Sequence, residues 1–216
     1  IGWCDWSSDV CSSDLVKFKD SGVEWIGEIP EGWEVSRIRY LFNLGRGRVI
    51  ALTELVEDGL FPVYSSQTLN NGCMGYINSY DFDCEQITWT TDGANAGTVF
   101  LRKGKHNCTN VCGTLQRKNN SIDLDYFCLL LSIGTQHYKR PDTNGAKIMN
   151  NEMAVIEVPL PSKKEQVAIA RLITRGDKKQ LRLIDSVKDA ISLLKEHRAA
   201  LITNAVTGKI NVEGLA

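Results

Sequence analysis

The chain has 216 residues, of which 43% are hydrophobic and 24% charged, and its formal net charge is −1. That length allows a sizeable core in one large domain, or in one domain plus an appendage, and the composition is that of an ordinary globular protein. No run of 18 uncharged apolar residues is present, which excludes a membrane-spanning helix, and no global positive field advertises a nucleic-acid binder.

Seven cysteines, odd in number and irregular in spacing, argue against a secreted disulfide framework and for reduced thiols in a cytoplasm. The net charge hides an asymmetry. From Ser162 to Ala216 eleven Lys/Arg stand against six Asp/Glu, whereas the rest of the chain carries fourteen against twenty. Two parts with different jobs are therefore expected.

Residues 1–15, IGWCDWSSDVCSSDL, read as foreign to the rest of the chain. A Ser-Ser-Asp unit repeats, two Trp and two Cys lack a surrounding apolar pattern, and no basic n-region marks a signal peptide. The stretch resembles translated sequencing-adapter read-through; a frayed natural terminus is the other reading. From Val16 onward the pattern is that of a folded protein. Ser21-Gly22 marks a turn, Val23 to Ile29 an amphipathic segment, and Pro30-Glu31-Gly32 a second turn. Alternation at Trp33, Val35 and Ile38 predicts a strand or short helix.

Between Phe61 and Arg117 the runs FPVYSSQ, MGYINSYDF, QITWTT, GTVFLRKG and CGTLQRK, separated by Gly, Asn and Asp, predict a β-rich body. Leu124 to Ile133, with Asp123 as N-cap, predicts a buried helix, and VIEVPLP a last strand closed by Pro159 and Pro161. Ser162 and Glu165 form a capping box that opens another helix. Along it Ile184, Val187, Ile191, Leu194, Arg198, Leu201 and Ala205 alternate three- and four-residue spacings, a heptad seam with one cation in it. Gly176 and Asp177 weaken the helix between two apolar stretches, and Gly208 is its stop signal. A continuous helix from Lys163 to Val206 would be about 66 Å long at 1.5 Å per residue and would need a partner helix to cover the seam.

Motifs of catalysis are missing. No GxGxxG, P-loop or HExxH occurs, His106, His137 and His197 are far apart, and Ser65-Ser66 lacks the glycines of a nucleophile elbow. No Asn/Asp-Pro-Pro-aromatic motif for base methylation is present, and Asp81, Asp83 and Glu85 read as a solvated turn. Cys108 and Cys112 have one zinc-like spacing but scattered companions, so small buried thiols are expected and no metal ligand is assigned.

Nucleic-acid binding has better local support. Three compact basic patches lie in the otherwise acidic part: Arg46 and Arg48 between glycines, Arg102-Lys103-Gly104-Lys105-His106, and Lys139-Arg140 followed by Asn144 and Lys147. Glycine neighbours let a backbone come close to a phosphate or base edge. Between the strands lie Gln67, Thr68, Asn70, Asn71, Thr90, Thr91 and Asn95, the amide and hydroxyl side chains that read base edges in a major groove. Ordinary polar loops would look the same on pattern alone.

The combination KDSGVEWIGEIPEGWEV, FPVYSSQ…GYI…YDFD, TDGANAGTVFLRKGK, VPLPSKKEQVAIA and LLKEHRAALITNAVTGKI resembles the specificity subunit of type I restriction-modification systems, over Val16 to about Gly214. The resemblance implies an α/β chain, in which an α+β target recognition domain (16–161) with a mixed β-rich sheet and flanking helices is followed by a long coiled-coil-type spacer helix (162–207) and a tail (208–216). Family members usually carry two such units in tandem with their helices antiparallel. This chain has one, so it is expected to be the C-terminal half of a longer subunit, or a half-subunit that dimerises. The implied partners are double-stranded DNA, methyltransferase subunits, a restriction subunit and a second recognition half, in the same chain or as a homodimer, with no membrane. No cofactor is expected on this chain, and S-adenosylmethionine, ATP and Mg²⁺ are expected on the partners. The implied role is non-catalytic and cytoplasmic. DNA contacts are expected from Arg46, Arg48, Gln67, Thr68, Thr91, Asn95, Arg102, Lys103, Lys105, Lys139, Arg140, Asn144 and Lys147. Helix–helix contacts are expected from Ile184, Val187, Ile191, Leu194, Leu201 and Ala205. A coiled-coil adaptor without a DNA role, and the recognition part of a type II restriction or methylation enzyme, are the rival readings.

Overall fold

The computed structural model describes residues 17–143 and 145–209, so the stretch 1–15 that reads as foreign in the sequence, Val16, Asn144 and the last seven residues of the tail lie outside the described residues. In chain order the first elements are β1 (Phe18–Asp20), β2 (Glu28–Pro30), β3 (Glu34–Arg37), α1 (Ile38–Leu41) and β4 (Phe42–Arg46). The body continues with β5 (Phe61–Tyr64), β6 (Cys73–Ile77), β7 (Phe82–Asp83), β8 (Gln86–Thr90), β9 (Asp92–Gly93), β10 (Val99–Arg102), β11 (Lys105–Cys108) and β12 (Cys112–Arg117). It closes with α2 (Leu124–Tyr138), β13 (Arg140–Asp142), β14 (Gly145–Lys147), α3 (Asn150–Val155) and β15 (Glu157–Leu160), before α4 (Lys163–Val206).

The centre is an antiparallel sheet in the order β10-β8-β12-β4. Gln86-Ile87-Thr88-Trp89-Thr90 forms its buried inner strand, where β-branched and aromatic side chains suit a strand covered on both faces. Trp89 is fully buried and donates its indole N–H to the Ile148 carbonyl at 2.9 Å. Against this sheet lies α2, whose Phe127 meets Phe42 of β4 edge-to-face at 5.3 Å. A second sheet, β6-β5-β11-β7, is mixed: β11 runs parallel to β5 and antiparallel to β7. It has its own small core of Ile50, Val63 and Ile77, with Leu55 and Met74 against it. This is the mixed, β-rich α+β body that the family resemblance implied.

Local predictions meet the structure in different ways. Gly22 sits at φ +72° with its N–H on Asp20, and Trp33 N–H closes the second turn onto Pro30 at 2.9 Å. The Trp33–Ile38 alternation resolves into both options, strand β3 and then the single turn α1. Asp123 caps α2 by accepting from the Tyr126 N–H at 3.0 Å. The helix runs five residues beyond the predicted end at Ile133. Pro159 lies inside β15 rather than closing it; among the described residues β15 pairs only with β3, which leaves one edge unladdered and able to take a proline. Val155 ends α3, an element that the sequence did not reveal.

The chain divides into two compact units, Ile1–Val167 and Ala168–Ala216. The division falls five residues after the helix's capping residue because the first turn of α4 is bound to the body. Lys163 pairs with Asp123 at 3.5 Å, Glu165 accepts from the Trp33 indole N–H, and Gln166 accepts from the Asp123 N–H. The capping box is formed, with the Ser162 N–H on Glu165 at 2.9 Å. The helix is uninterrupted at Gly176 over its 44 residues. Gly208 takes φ +71° and ends it. No helix among the described residues is long and apolar enough to cross a membrane.

Candidate nucleic-acid interface

Strand register decides which loops can meet. In the central sheet Arg46 is opposite Gly113, and Thr90 opposite Cys112, so the end of β4, the end of β8 and the start of β12 share one edge. The turn Asp92–Gly97 leaves β8 at that edge, with Gly93 at φ +89° and Gly97 at φ +85°. Strand β14 joins it there, with Ala146 opposite Gly93 and Lys147 opposite Asp92, and brings the β13–β14 hairpin along. The β5–β6 loop joins through Asn95, whose amide donates to the Ser66 carbonyl at 3.2 Å, and through Thr109, whose hydroxyl meets Ser65 at 3.3 Å. Segments 46–48, 65–72, 91–97 and 109–111 are thereby gathered at one end of the body with the described residues of the β13–β14 hairpin, 139–143 and 145–147.

The two arginines between glycines differ. Arg48 is engaged by carboxylates on two sides, Glu54 at 3.0 Å and Asp81 at 3.1 Å, and its pKa is raised, chiefly by the hydrogen bond to Glu54. Arg46 bonds the Asn110 carbonyl and has no carboxylate partner among the described residues. Gly47 serves packing rather than a phosphate: a Cβ there would lie 2.1 Å from the Cys108 carbonyl oxygen.

Four expected contacts have inward or internal roles. Arg102, expected at the surface, is 2% exposed. Its guanidinium lies 3.5 Å from the Tyr64 ring centroid and donates to the Thr88 hydroxyl, so it has no open side for a phosphate. Thr91 is buried, its hydroxyl on the Val111 carbonyl at 3.0 Å, because it follows the end of β8 beside the start of β12 and its N–H also bonds Val111. The amide of Gln67 donates to the Cys73 carbonyl across its own loop, and the Asn95 amide is occupied by the Ser66 carbonyl. Thr68 is exposed.

Lys103 and Lys105 lie away from the gathered loops. Lys105 is opposite Asp83 at the start of β11 and 4.5 Å from the Tyr80 ring centroid, and Lys103 pairs with Glu85 at 3.6 Å. At the hairpin Arg140 pairs with Glu152 at 2.9 Å and Lys147 with Asp142 at 3.2 Å, whereas Lys139 bonds, among the described residues, only the neutral Gln136. Half of the expected cations are therefore already neutralised by acids. Asn144 lies outside the described residues. Leu69, not among the expected contacts, is 77% exposed at the tip of the β5–β6 loop, ahead of the Asn70-Asn71-Gly72 run, whose residues all take positive φ.

Cys108 and Cys112 are buried, and burial raises both thiol pKa values. No group of three or more His, Cys, Asp or Glu side chains among the described residues could hold a metal ion. On the helix, Ile184, Val187, Ile191, Leu194, Leu201 and Ala205 are all exposed, an apolar seam interrupted at Arg198 and without a partner among the described residues.

The profile of the type I restriction modification DNA specificity domain matches residues 30–193. A protein of Mycoplasma pneumoniae named as a type I specificity subunit N-terminus is 40% identical over 138 residues, covering 63% of this chain and 74% of its own. Among solved structures, the S subunit of a type I restriction-modification system from M. genitalium superposes with a TM-score of 0.58 at 19% identity, over 68% of this chain and 39% of that one. A chain from a study of type I R-M complex assembly and conformational transition reaches 0.69 at 13% identity, over 87% and 48%. The chain thus spans less than half of either solved neighbour. The profile match over residues 30–193, with the 40% identical relative beside it, places this chain in the type I restriction-modification DNA specificity family.

Proposed function

We propose that the chain reads one half of a split duplex site and performs no chemistry itself. The gathered loops would enter the groove, and the long helix would dock methyltransferase subunits and a second recognition half. S-adenosylmethionine, ATP and Mg²⁺ would act on the partner subunits, the last two with a restriction subunit. The observation that carries this is the meeting of five polar loops at one edge of a rigid sheet, within a chain of the specificity family. Two such bodies held apart by helices of this length could address half-sites roughly one helical turn, about 34 Å, or more apart on one face of DNA.

Charge shapes how it would bind. Arg48, Lys103, Arg140 and Lys147 are paired with acids, which leaves Arg46, Lys105 and Lys139 as the expected cations open to phosphate. Phosphate neutralisation supplies most non-specific affinity, so the chain alone should bind DNA weakly and gain affinity from its partners' surfaces. The test is methylation of a randomised site library by the chain in complex with its modification subunits. Thr68→Ala should relax preference at one base pair, whereas Arg46→Ala or Lys139→Ala should weaken all sequences alike. An unchanged sequence preference after every loop substitution would remove the loops as readers and leave the coiled-coil adaptor.

A further inference from the structure

Arg102 is an unusual residue to bury. It is fully enclosed and makes no ion pair among the described residues, yet the interior normally pairs such a charge. Its guanidinium is sandwiched near the rings of Tyr64 at 3.5 Å and Phe100 at 4.3 Å, a cation–π arrangement. Nε donates to the Thr88 hydroxyl at 3.1 Å and Nη1 to the backbone carbonyl of Asn71 at 2.7 Å. The far end of this buried cation therefore grips one main-chain atom of the β5–β6 loop.

That loop is held at its base and at both flanks as well. The Ser65 N–H closes its base on the Gly72 carbonyl at 2.9 Å. Asn95 holds the Ser66 carbonyl, and Gln67 bonds the Cys73 carbonyl. Asn70 and Asn71 both take left-handed φ, +50° and +54°, a conformation asparagine tolerates better than most side chains. Gly72 follows at φ +80°, where a Cβ would lie 2.8 Å from Arg102 Nη2. What emerges is a tip with Leu69 almost wholly exposed beside the exposed Asn70. A single exposed leucine is unremarkable on a surface. Here its backbone is held from both flanks by side chains reaching out of the body, which is the preorganisation that recognition needs and packing does not.

Resting on the DNA-reading role proposed above, we infer that Leu69 is a specificity-determining residue that contacts the C5-methyl of a thymine in the major groove, and that Arg102 is the positioning residue that aims it. An apolar side chain has one distinctive partner among base edges in that groove, the thymine methyl, and only a fixed backbone can deliver it to a single base pair.

The experiment uses the chain in complex with its modification subunits and synthetic duplexes carrying its preferred site. Replacing thymines by deoxyuridine one at a time removes single methyl groups without altering base pairing. At one position the methylation rate should fall about fourfold, the worth of one buried methyl, and Leu69→Ala should show the lower rate on both duplexes. Arg102→Met should lose preference at the positions read by the tip while preferences elsewhere persist, and Arg102→Lys, which keeps the charge without the fork, should not restore them. If Arg102→Met does not fold, Leu69→Ala decides the matter, because its side chain is exposed. Methyl sensitivity that survives in Leu69→Ala, or its absence at every thymine, overturns the inference while leaving DNA reading by other loops intact. Uniform loss over all positions in a folded Arg102→Met protein makes Arg102 merely structural. A wild-type complex with no sequence preference overturns the proposed function itself.

Discussion

His106 is buried, and its tautomer follows from its neighbours. Gln116 donates to the Gln86 side-chain oxygen at 3.1 Å, which turns the Gln86 amide nitrogen toward His106 Nε2 at 2.8 Å. Nε2 must accept, so Nδ1 carries the proton and donates to the Gly104 carbonyl at 2.7 Å. The neutral ring stacks on Phe82 at 5.4 Å. Burial lowers its pKa, outweighing the Gly104 carbonyl, and the nearby Arg102 charge adds to the lowering. The unfolded chain takes up a proton near pH 6.5, whereas the folded one resists until lower pH, so the unfolded state binds more protons in between. Stability should hold above about pH 6.5 and fall below it, by at most about 1.4 kcal/mol per pH unit from this group. Urea unfolding of the wild type and of His106→Gln at pH 7.5 and 5.5 measures it; equal losses in both would mean His106 is not the group responsible.

At the same scale, residue type was a poor guide to where a charge ends up. Arg46-Gly47-Arg48 suggested glycines that admit a phosphate, but Gly47 is there because the backbone of Cys108 and Thr109 crosses it. Arg102 stands in a run with Lys103 and Lys105, yet strand alternation turns it inward while its neighbours stay in solvent. A local pattern records what a residue is, and only the tertiary partner decides what it faces.

Elements were more legible, because their signals are local. Asp123, the short β-branched runs and the Ser162–Glu165 box each specify their hydrogen bonds within a few residues, and each is formed. Where prediction stopped short, a distant contact was responsible. The predicted helix ends at Ile133, but just beyond it Gly134 leaves room for the Trp25 ring, 3.3 Å from where a Cβ would sit, and Thr135 donates to the Gly97 carbonyl at 2.7 Å. Both contacts keep α2 going to Tyr138. Asp123 tests how local the stabilisation is, since it caps α2 and also pairs with Lys163 at 3.5 Å. Asp123→Ala should cost about 1 kcal/mol, whereas Asp123→Asn retains the cap and should lose no more than a few tenths, as a partly exposed ion pair contributes little. Equal losses by chemical denaturation would assign the energy to the pair with α4 instead.

For the whole molecule, the seam of α4 carries the strongest expectation. Ile184, Val187, Ile191, Leu194 and Leu201 are about half or more exposed, and Leu181, Leu183, Leu193 and Ile202 widen the stripe. The periodicity that announced it was fully readable in the sequence; its partner was not, since a heptad states that something is covered without saying by what. A seam of this length in water drives helix pairing. The chain should therefore self-associate when studied without its partner subunits, and Ile191→Asp with Leu194→Asp should return it to a monomer. In a symmetric pair those two substitutions remove four buried side chains of about 1.5–3 kcal/mol each. Association should then weaken by at least about 6 kcal/mol, on the order of four decades in dissociation constant. Because both side chains are exposed in the single chain, the melting temperature of the body should not move. Sedimentation equilibrium of wild type and variant reads this directly. A wild type that stays monomeric at about 100 μM would mean that the seam is reserved for a different chain, and loss of methyltransferase binding in the same variant would then identify that chain.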